Sequence, residues 1–326
     1  MKNPLGRAAR GLGVLLASAL ALAACTIAQP TASDSSAGGG SIQPIEALKG
    51  APIKVGSKEF DEQLLLGQIA IIALQAAGAA PQDQTNITGS DAVRNALTSG
   101  SIDLYYEYTG TAWASFLKKT EKVDDPKQLF EAVKAADQAN NVTWWALSPA
   151  NDTYAIAANG EAATKYGVKS ISDVANLAKS DPAAATMCIG AEFAGRDDGL
   201  PGLLKAYGIT VPSSNVKRVA DAVVYTSVGA GKDCIFGSVA STDGRIPAQK
   251  LVVLEDDKKF FPVYNPAISI RADIATKYPD IEKVFTPLNE KLTSEVLLEL
   301  NKQISVDGRK PDAVAREWLK AQGFIA

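Results

Sequence analysis

From Pro52 onward, short apolar segments typical of strands alternate with longer segments of helical periodicity. In residues 61–79, for example, apolar side chains recur at positions 65, 69, 72 and 76, the spacing of one helix face. Strands are predicted at 52–56, 102–106, 186–189, 234–239, 251–254 and 267–270, with extended chain over 142–158. Helices are predicted at 61–79, 91–99, 126–139, 171–179, 200–207, 221–230, 282–292, 294–304 and 311–322, with a further helix starting at 111. Such alternation predicts an α/β fold with mostly parallel sheets.

The alternating pattern occurs twice, and a helical tail follows the second series. Two lobes joined by extended crossovers are therefore predicted, and a chain of 326 residues is long enough to give each lobe its own core. We assign residues 51–152 and 257–326 to lobe 1 and residues 153–256 to lobe 2. In such folds a ligand lies at the carboxyl ends of strands, beside helix N-termini, so the strand-to-helix turns are the places to search.

Residues 1–25 have the features of a targeting segment and are excluded from the fold. Three basic residues precede the apolar run Gly11–Ala24, whose 14 residues are too few to span a bilayer comfortably. The run ends in Leu22-Ala-Ala-Cys25, which resembles a bacterial lipobox whose cysteine is acylated. The alternatives are an ordinary signal peptide or a short buried helix with a chance cysteine.

Residues 26–50 are predicted to form a flexible tether. Their first part, 26–40, is rich in Ser, Ala, Thr and Gly and lacks aromatic residues, so it cannot bury enough apolar surface to order itself. The domain is thus expected at the extracytoplasmic face of the cytoplasmic membrane, attached through lipidated Cys25.

Charge and composition exclude several functions. The net charge is −3, and residues 1–24 carry three positive and no negative charges, which leaves −6 on the rest. An acidic body argues against a nucleic-acid partner. The absence of histidine removes the commonest general base and the commonest zinc ligand, so no metal, no cofactor and no catalytic residue is assigned. An enzyme using carboxylates such as Glu107 and Asp243 stays as an alternative.

Apart from Cys25, the chain has two cysteines, Cys188 and Cys234, each in a strand-like segment. A cysteine pair in an exported protein is a disulfide candidate, because neighbouring strands can bring two Cα atoms within about 4.4–6.8 Å. Two buried free thiols are the alternative.

Polar and aromatic residues gather at five predicted turns. Lys58 follows the first strand at a helix start, where free N–H groups favour an anion, although a solvated lysine is the simpler reading. Residues 103–111 end in three tyrosines and two threonines, which suggests a recognition surface, although such residues can also be core or helix caps. Arg196 lies in a glycine-flanked turn and could hold a carboxylate, or pair with a neighbouring acid. Residues 241–245 and 255–266 form the remaining two turns.

Together these motifs resemble those of the substrate-binding proteins of ABC importers for glycine betaine, choline, carnitine and related osmoprotectants. The resemblance covers essentially the whole domain. The residues that carry it, in order, are Gly56–Gln63, Gly100–Thr111, Gly190–Phe193 with Arg196–Gly199, Thr242–Ile246, and Leu254–Asp257 with Phe261-Pro262. The family implies a two-lobed periplasmic-binding-protein fold of type II, closing on its ligand at a hinge, with a membrane ABC permease as partner.

The resemblance also implies roles for individual residues. Lys58, Thr111 and Arg196 match positions that hold the carboxylate of a zwitterion. Asp152 matches a position whose backbone carbonyl faces the ligand's cation. The positions of the aromatic box around the trimethylammonium group are matched by Tyr108, Tyr154 and Tyr264. A quaternary ammonium has no N–H group to donate, so ring faces and carbonyl dipoles are the means by which a protein can recognise it.

One position departs from the four-tyrosine boxes of the family, which place a tyrosine two residues before Thr-Asp-Gly. Ala240 stands there instead, and Phe60 or Phe236 could fill the gap. The sequence thus predicts a monomeric receptor for a small zwitterionic or cationic ligand. The alternative is the same receptor with a different ligand, larger or aromatic, because Ala240 opens the box.

Overall fold

The computed structural model describes residues 39–326. The predicted signal peptide with Cys25, and the tether as far as residue 38, lie outside the described residues. No helix within 39–326 has both the length and the apolar character needed to cross a bilayer.

The described chain contains strands and helices in alternation. The strands are β1 (Lys54–Lys58), β2 (Gln82–Ile87), β3 (Leu104–Tyr108), β4 (Val142–Trp145), β5 (Tyr154–Asn159), β6 (Met187–Gly190), β7 (Val216–Val219), β8 (Phe236–Ala240), β9 (Leu251–Val253) and β10 (Pro266–Arg271). The helices are α1 (Asp61–Ala76), α2 (Ser90–Ser99), α3 (Thr109–Thr111), α4 (Pro126–Asp137), α5 (Gly160–Tyr166), α6 (Ile171–Ser180), α7 (Leu200–Tyr207), α8 (Asp221–Ala230), α9 (Arg245–Ala248), α10 (Ala272–Lys277), α11 (Ile281–Asn289), α12 (Ser294–Ser305) and α13 (Pro311–Ala321). A π-helical turn, Ala112–Phe116, continues α3.

The strands form two five-stranded sheets, with the orders β2-β1-β3-β10-β4 and β7-β6-β8-β5-β9. The α/β prediction is confirmed, but the sheets are mixed rather than mostly parallel, because four of the eight strand pairings are antiparallel. In each sheet one strand runs against the other four, β10 in the first and β5 in the second.

The reversed strands are the ones that follow the two crossovers. Tyr154, which starts β5, pairs with Ala240 at the end of β8, and Pro266, which starts β10, pairs with Tyr108 at the end of β3. Each crossover therefore enters its new sheet at the edge where the parallel strands end. A strand that begins where its neighbours finish must run antiparallel to them.

Apolar side chains fill both faces of each sheet. In the first sheet, α1 and α11–α13 cover one face, and a second cluster that includes Leu97 and Trp144 lies on the other. Helix α1 is buried along most of its length because it lies between the sheet and the three C-terminal helices. The second sheet is likewise packed between two clusters, one around Ile156 and Phe236 and one around Val224 and Cys188.

The ordered domain begins earlier than the predicted tether end at residue 50. The backbone N–H groups of Ser41 and Ile42 donate to the carbonyls of Gly323 and Phe324, at 2.8 and 3.1 Å. Leu48, in a 3-10 turn, is fully buried in the core of the first sheet. The prediction of a flexible tether is thus wrong for residues 41–50. Their apolar side chains pack into the core of the first sheet, near the C-terminal end of the chain, instead of facing water.

Cys188 in β6 and Cys234, just before β8, form a disulfide with a Cα–Cα distance of 5.5 Å. Strands β6 and β8 are direct parallel neighbours, which brings together two cysteines 46 residues apart in sequence.

Replacing both cysteines with serine should lower the free energy of unfolding by about 2–4 kcal/mol, because the closed loop restricts the unfolded chain. Denaturant unfolding measures this loss. A reductant should destabilise the parent protein by a similar amount and leave the double variant unchanged. Equal stability of the two proteins under oxidising conditions would contradict the prediction.

Candidate ligand-binding site

A cavity of about 110 Å³ lies where the carboxyl ends of strands from both sheets meet. Seven of the eight residues assigned to ligand binding from the sequence line this cavity, and Arg196 contacts one of them, Thr111. The lining residues assigned from the sequence are Lys58, Tyr108, Thr111, Asp152, Tyr154, Ala240 and Tyr264.

The three predicted box tyrosines come from separate parts of the chain and are held in place by hydrogen bonds and ring contacts. The rings of Tyr154 and Tyr264 meet edge to face, with centroids 5.5 Å apart. The hydroxyl of Tyr264 donates to Asp198 at 2.6 Å, and that of Tyr108 donates to Glu62 at 2.9 Å. The rings are therefore oriented by the protein before any ligand arrives.

Lys58, at the end of β1, is buried, in contrast to the solvated lysine that the sequence left open. Its ammonium group lies 2.8 Å from the carboxylate of Glu107, which is fully buried and also accepts a hydrogen bond from the hydroxyl of Tyr105. The same ammonium lies 5.2 Å from the centre of the Tyr108 ring. Lys58 is thus neutralised by an acid of its own lobe and lies over one ring of the box.

Arg196 also has partners within the protein. Its guanidinium binds Asp198 through two nitrogens, at 2.8 and 2.5 Å, and Glu192 through a third, at 2.9 Å. It lies 5.4 Å from the Tyr154 ring centre, and Thr111 accepts a longer hydrogen bond of 3.4 Å from it. The pairing with neighbouring acids that the sequence left open is the arrangement observed.

The rest of the cavity wall is strongly acidic. Seven carboxyl side chains line it, against only two basic ones, Lys58 and Arg245. Arg245 is itself bound by Asp243 at 2.5 Å and lies 3.6 Å from Asp61. The carboxyl residues are Glu59, Asp61, Glu62, Asp152, Glu192, Asp221 and Asp243. The excess of acids favours a ligand that brings positive charge.

Removal from bulk water changes the ionisation of some of these acids. Desolvation raises the pKa of Asp221 to about 6, and the nearby charges of Glu192 and Glu59 add to the rise. Desolvation also raises the pKa of Glu62 and, together with the charge of Glu62, holds the pKa of Asp152 well above its usual range. Burial in the cavity therefore favours the protonated forms of these acids.

The gap at Ala240 is partly filled by a residue that the sequence did not indicate. Tyr225, from α8, lines the cavity, and its hydroxyl oxygen accepts a hydrogen bond of 3.1 Å from the backbone N–H of Ala240. Phe60 lines the cavity and stacks on Tyr108 at 6.3 Å, whereas Phe236 belongs to the lobe 2 core.

Three further polar residues were missed as site residues. Glu62 and Thr242 lie inside motifs that carried the resemblance, so their spacing could have drawn attention to them. Asn301, in α12, reaches the cavity from the C-terminal helices and no local pattern distinguishes it. Its position depends on how α12 packs against α1.

Comparison with known proteins agrees with this geometry. Residues 51–321 match the family described as the substrate-binding domain of the ABC-type glycine betaine transport system. The chain belongs to this family. It is thus a substrate-binding component of ABC transport, in a family of transport proteins rather than enzymes.

Individual relatives match this chain over most of its length. A glycine-betaine-binding protein from Pseudomonas aeruginosa is 32% identical over 84% of this chain and 88% of its own. An ergothioneine transport permease/ergothioneine binding protein from Helicobacter pylori is 34% identical over 86% of this chain, which spans 49% of that longer protein. Among solved structures, a glycine betaine/carnitine/choline ABC transporter protein has a TM-score of 0.68 at 26% identity, covering 83% of this chain and 99% of that one.

Glu107→Gln should destabilise the protein by about 3–5 kcal/mol, because the buried ammonium of Lys58 would lose its carboxylate partner. Thermal and denaturant unfolding measure the effect. Glu131→Gln, on the exposed side of α4, is the matched control and should change stability by less than about 0.5 kcal/mol. Similar small effects in both variants would show that Lys58 does not depend on Glu107.

Proposed function

We propose that the protein captures a quaternary-ammonium osmoprotectant (glycine betaine, choline, carnitine or a relative) between its lobes and delivers it to a membrane ABC permease. The observation that carries this proposal is the meeting of Tyr108, Tyr154 and Tyr264 in one acidic cavity. Electron-rich ring faces and carboxylates attract a cation that cannot donate hydrogen bonds.

The opposite end of the ligand would be bound by the three residues predicted to hold a carboxylate. Lys58 and Arg196 now pair with Glu107, Glu192 and Asp198, so a ligand carboxylate would have to share them or displace an acid. Thr111 has its hydroxyl next to the guanidinium of Arg196. In this proposal the backbone carbonyl of Asp152 faces the cation.

The domain boundaries fit a receptor that opens and closes. The first sheet takes all its strands from 54–145 and 266–271, and the second takes its own from 154–253. We therefore place lobe 1 at 51–152 and 257–326, lobe 2 at 153–256, and the hinge in the two crossovers. The proposal also includes a monomer without enzymatic activity, held at the extracytoplasmic face of the membrane through lipidated Cys25.

A second candidate is a larger ligand that carries an aromatic ring. The absence of a side chain beyond Cβ at Ala240 favours it, and the other β8 residues that line the cavity, Ser238 and Val239, carry no ring either. The Helicobacter relative is named for binding ergothioneine, which is consistent with such a ligand.

Titration calorimetry with glycine betaine, choline, carnitine and the neutral carbon isostere of choline tests the first candidate. Saturable binding of at least one ammonium compound is expected, and the isostere, which has a tert-butyl group in place of trimethylammonium, should bind about tenfold or more weakly than choline. Equal affinity for choline and its isostere would contradict a cation site, and no binding by the whole panel would overturn the proposal.

Arg196→Ala tests the carboxylate end within the same panel. Glycine betaine should lose about 10–100-fold in affinity, the cost of a lost charge-assisted hydrogen bond, whereas choline, which has no carboxylate, should lose much less. Choline thereby controls for any general damage to the lobe. Equal losses for both ligands would show that Arg196 does not bind the carboxylate.

Ala240→Tyr separates the two candidates, because it adds a ring where the four-tyrosine boxes have one. If the ligand is a small betaine, its affinity should rise by about 2–30-fold. If the ligand is larger and aromatic, the same ring should block it, and ergothioneine binding should be lost. Mass spectrometry of the ligand that co-purifies with the parent protein is the independent check.

A further inference from the structure

Thr242 joins two carboxyl groups of the cavity in a way that fixes how many protons they hold. Its hydroxyl oxygen lies 2.6 Å from Glu62 Oε2 and 2.6 Å from Asp152 Oδ1. A hydroxyl carries one hydrogen and can donate to only one of these oxygens. The second short contact needs a proton on a carboxyl group, which then donates to the threonine oxygen.

The hydrogen-bond partners show which carboxyl group holds that proton. Glu62 accepts from Tyr108 at 2.9 Å, from the amide of Asn301 at 2.6 Å and from Thr242. Three donors stabilise an anion at Glu62. The Asp152 side chain has fewer donors within residues 39–326: besides the shared hydroxyl it has the backbone N–H of Thr242 at 3.4 Å, and its other neighbour is the Glu62 carboxyl itself. Asp152, with fewer donors to stabilise a negative charge, is therefore the neutral acid, and burial raises its pKa.

Asn301 adds a buried amide oxygen without a hydrogen-bond partner beside Glu62 in the described chain. Its amide nitrogen donates to Glu62 and, at 3.0 Å, to the carbonyl of Thr242, which fixes the orientation of the amide. The side-chain oxygen is buried and has no hydrogen-bond partner among residues 39–326. A buried acceptor without a partner is costly, and a cation in the cavity would satisfy it electrostatically.

Ionisable groups face this pair from several elements. They are Tyr108 from β3, Tyr225 from α8, Lys58 from β1, Asp243 from the turn after β8, and Arg245 from the start of α9. Within residues 39–326 neither Glu62 nor Asp152 forms a salt bridge. Lys58 pairs with Glu107, and Arg245 pairs with Asp243 and Asp61. Among these described residues the anion at Glu62 thus has hydrogen-bond donors but no paired cation.

We propose that Glu62 is the counter-ion of the ligand's ammonium group and that Asp152 releases its proton when this cation binds. The O–H bond of Asp152 breaks and the proton passes to bulk water. The positive charge of the ligand's ammonium group thus replaces the charge of the proton in the site. A cation beside the pair stabilises the ionised form of Asp152, which lowers its pKa in the complex. The inference rests on the proposed function, because it requires a cationic ligand.

Proton release also links binding to cleft closure. Glu62 and Asn301 belong to lobe 1, whereas Thr242 follows β8 of lobe 2. The proton on Asp152 completes a hydrogen-bond chain between the lobes while the cavity holds no cation, and in the complex the attraction between the cation and the two carboxylates replaces it. Glu62 thereby selects for ligand charge, and the tyrosines select for ligand shape.

Calorimetry with choline measures the exchange directly, since choline has no group that titrates near neutral pH. Titrations in two buffers of different ionisation enthalpy should show release of up to one proton per choline. Affinity should rise with pH, by up to about tenfold per pH unit between the pKa of Asp152 in the complex and its pKa in the free protein. Heats independent of the buffer, from about pH 5 to about pH 9, would overturn the inference.

Asp152→Asn mimics the neutral acid, because its amide can donate to Thr242 as the protonated carboxyl does. This variant should bind choline with no proton release and with an affinity that no longer rises with pH. Glu62→Gln should weaken choline by about 10–100-fold and the neutral isostere far less. A circular dichroism spectrum and a melting curve show that each variant is folded.

Asp221→Asn is the matched control, since Asp221 lines the same cavity and is another acid whose raised pKa, about 6, could account for the proton. Proton release should persist in this variant. Loss of release in Asp221→Asn, with release retained in Asp152→Asn, would assign the proton to Asp221 and overturn the inference. Binding without proton release defeats the inference alone, whereas failure of every quaternary ammonium to bind defeats the proposed function as well.

Discussion

The two crossover strands, β5 and β10, enter their sheets from the cleft edge, and the site is built around this constraint. Tyr154 begins β5 beside the end of β8, and the turn that holds Tyr264 leads into β10 beside the end of β3. Because the parallel strands finish at the same edge, Lys58 and Tyr108 reach the cavity as well. Aromatic and charged residues from both lobes are thus brought together without any long loop.

Burial of charge is the second constraint on the cleft. Lys58 and Arg196 lie over the Tyr108 and Tyr154 rings and are neutralised by Glu107, Glu192 and Asp198. The protein's own cations therefore occupy ring faces that a ligand cation would use. Binding then becomes a competition between cations, in which the counter-charge of each partner decides the balance. The pair Glu62 and Asp152 matters because its anion has no such counter-charge in the described chain.

Sequence periodicity predicted most of the strands, and it missed β2 and β7, each at one edge of its sheet. Strands β2 and β7 are polar and half exposed, because one side of each faces solvent, so no apolar pattern marks them. Residues 142–158 were predicted as one extended segment, but β4 and β5 belong to different sheets. The sequence pattern of an extended segment is the same whether the segment stays in one sheet or crosses from one sheet to another.

The sequence by itself determined the α/β class, the family and seven of the residues that line the cavity, because local motifs carry that information. Only the tertiary structure decided which charges are already paired, that Tyr225 stands beside Ala240, and that Thr242 and Asn301 surround Glu62. These contacts join residues separated by 15 to 239 positions in sequence. The state of a buried acid depends on such distant neighbours, since donors, opposite charges and exclusion of water act through space and not along the chain.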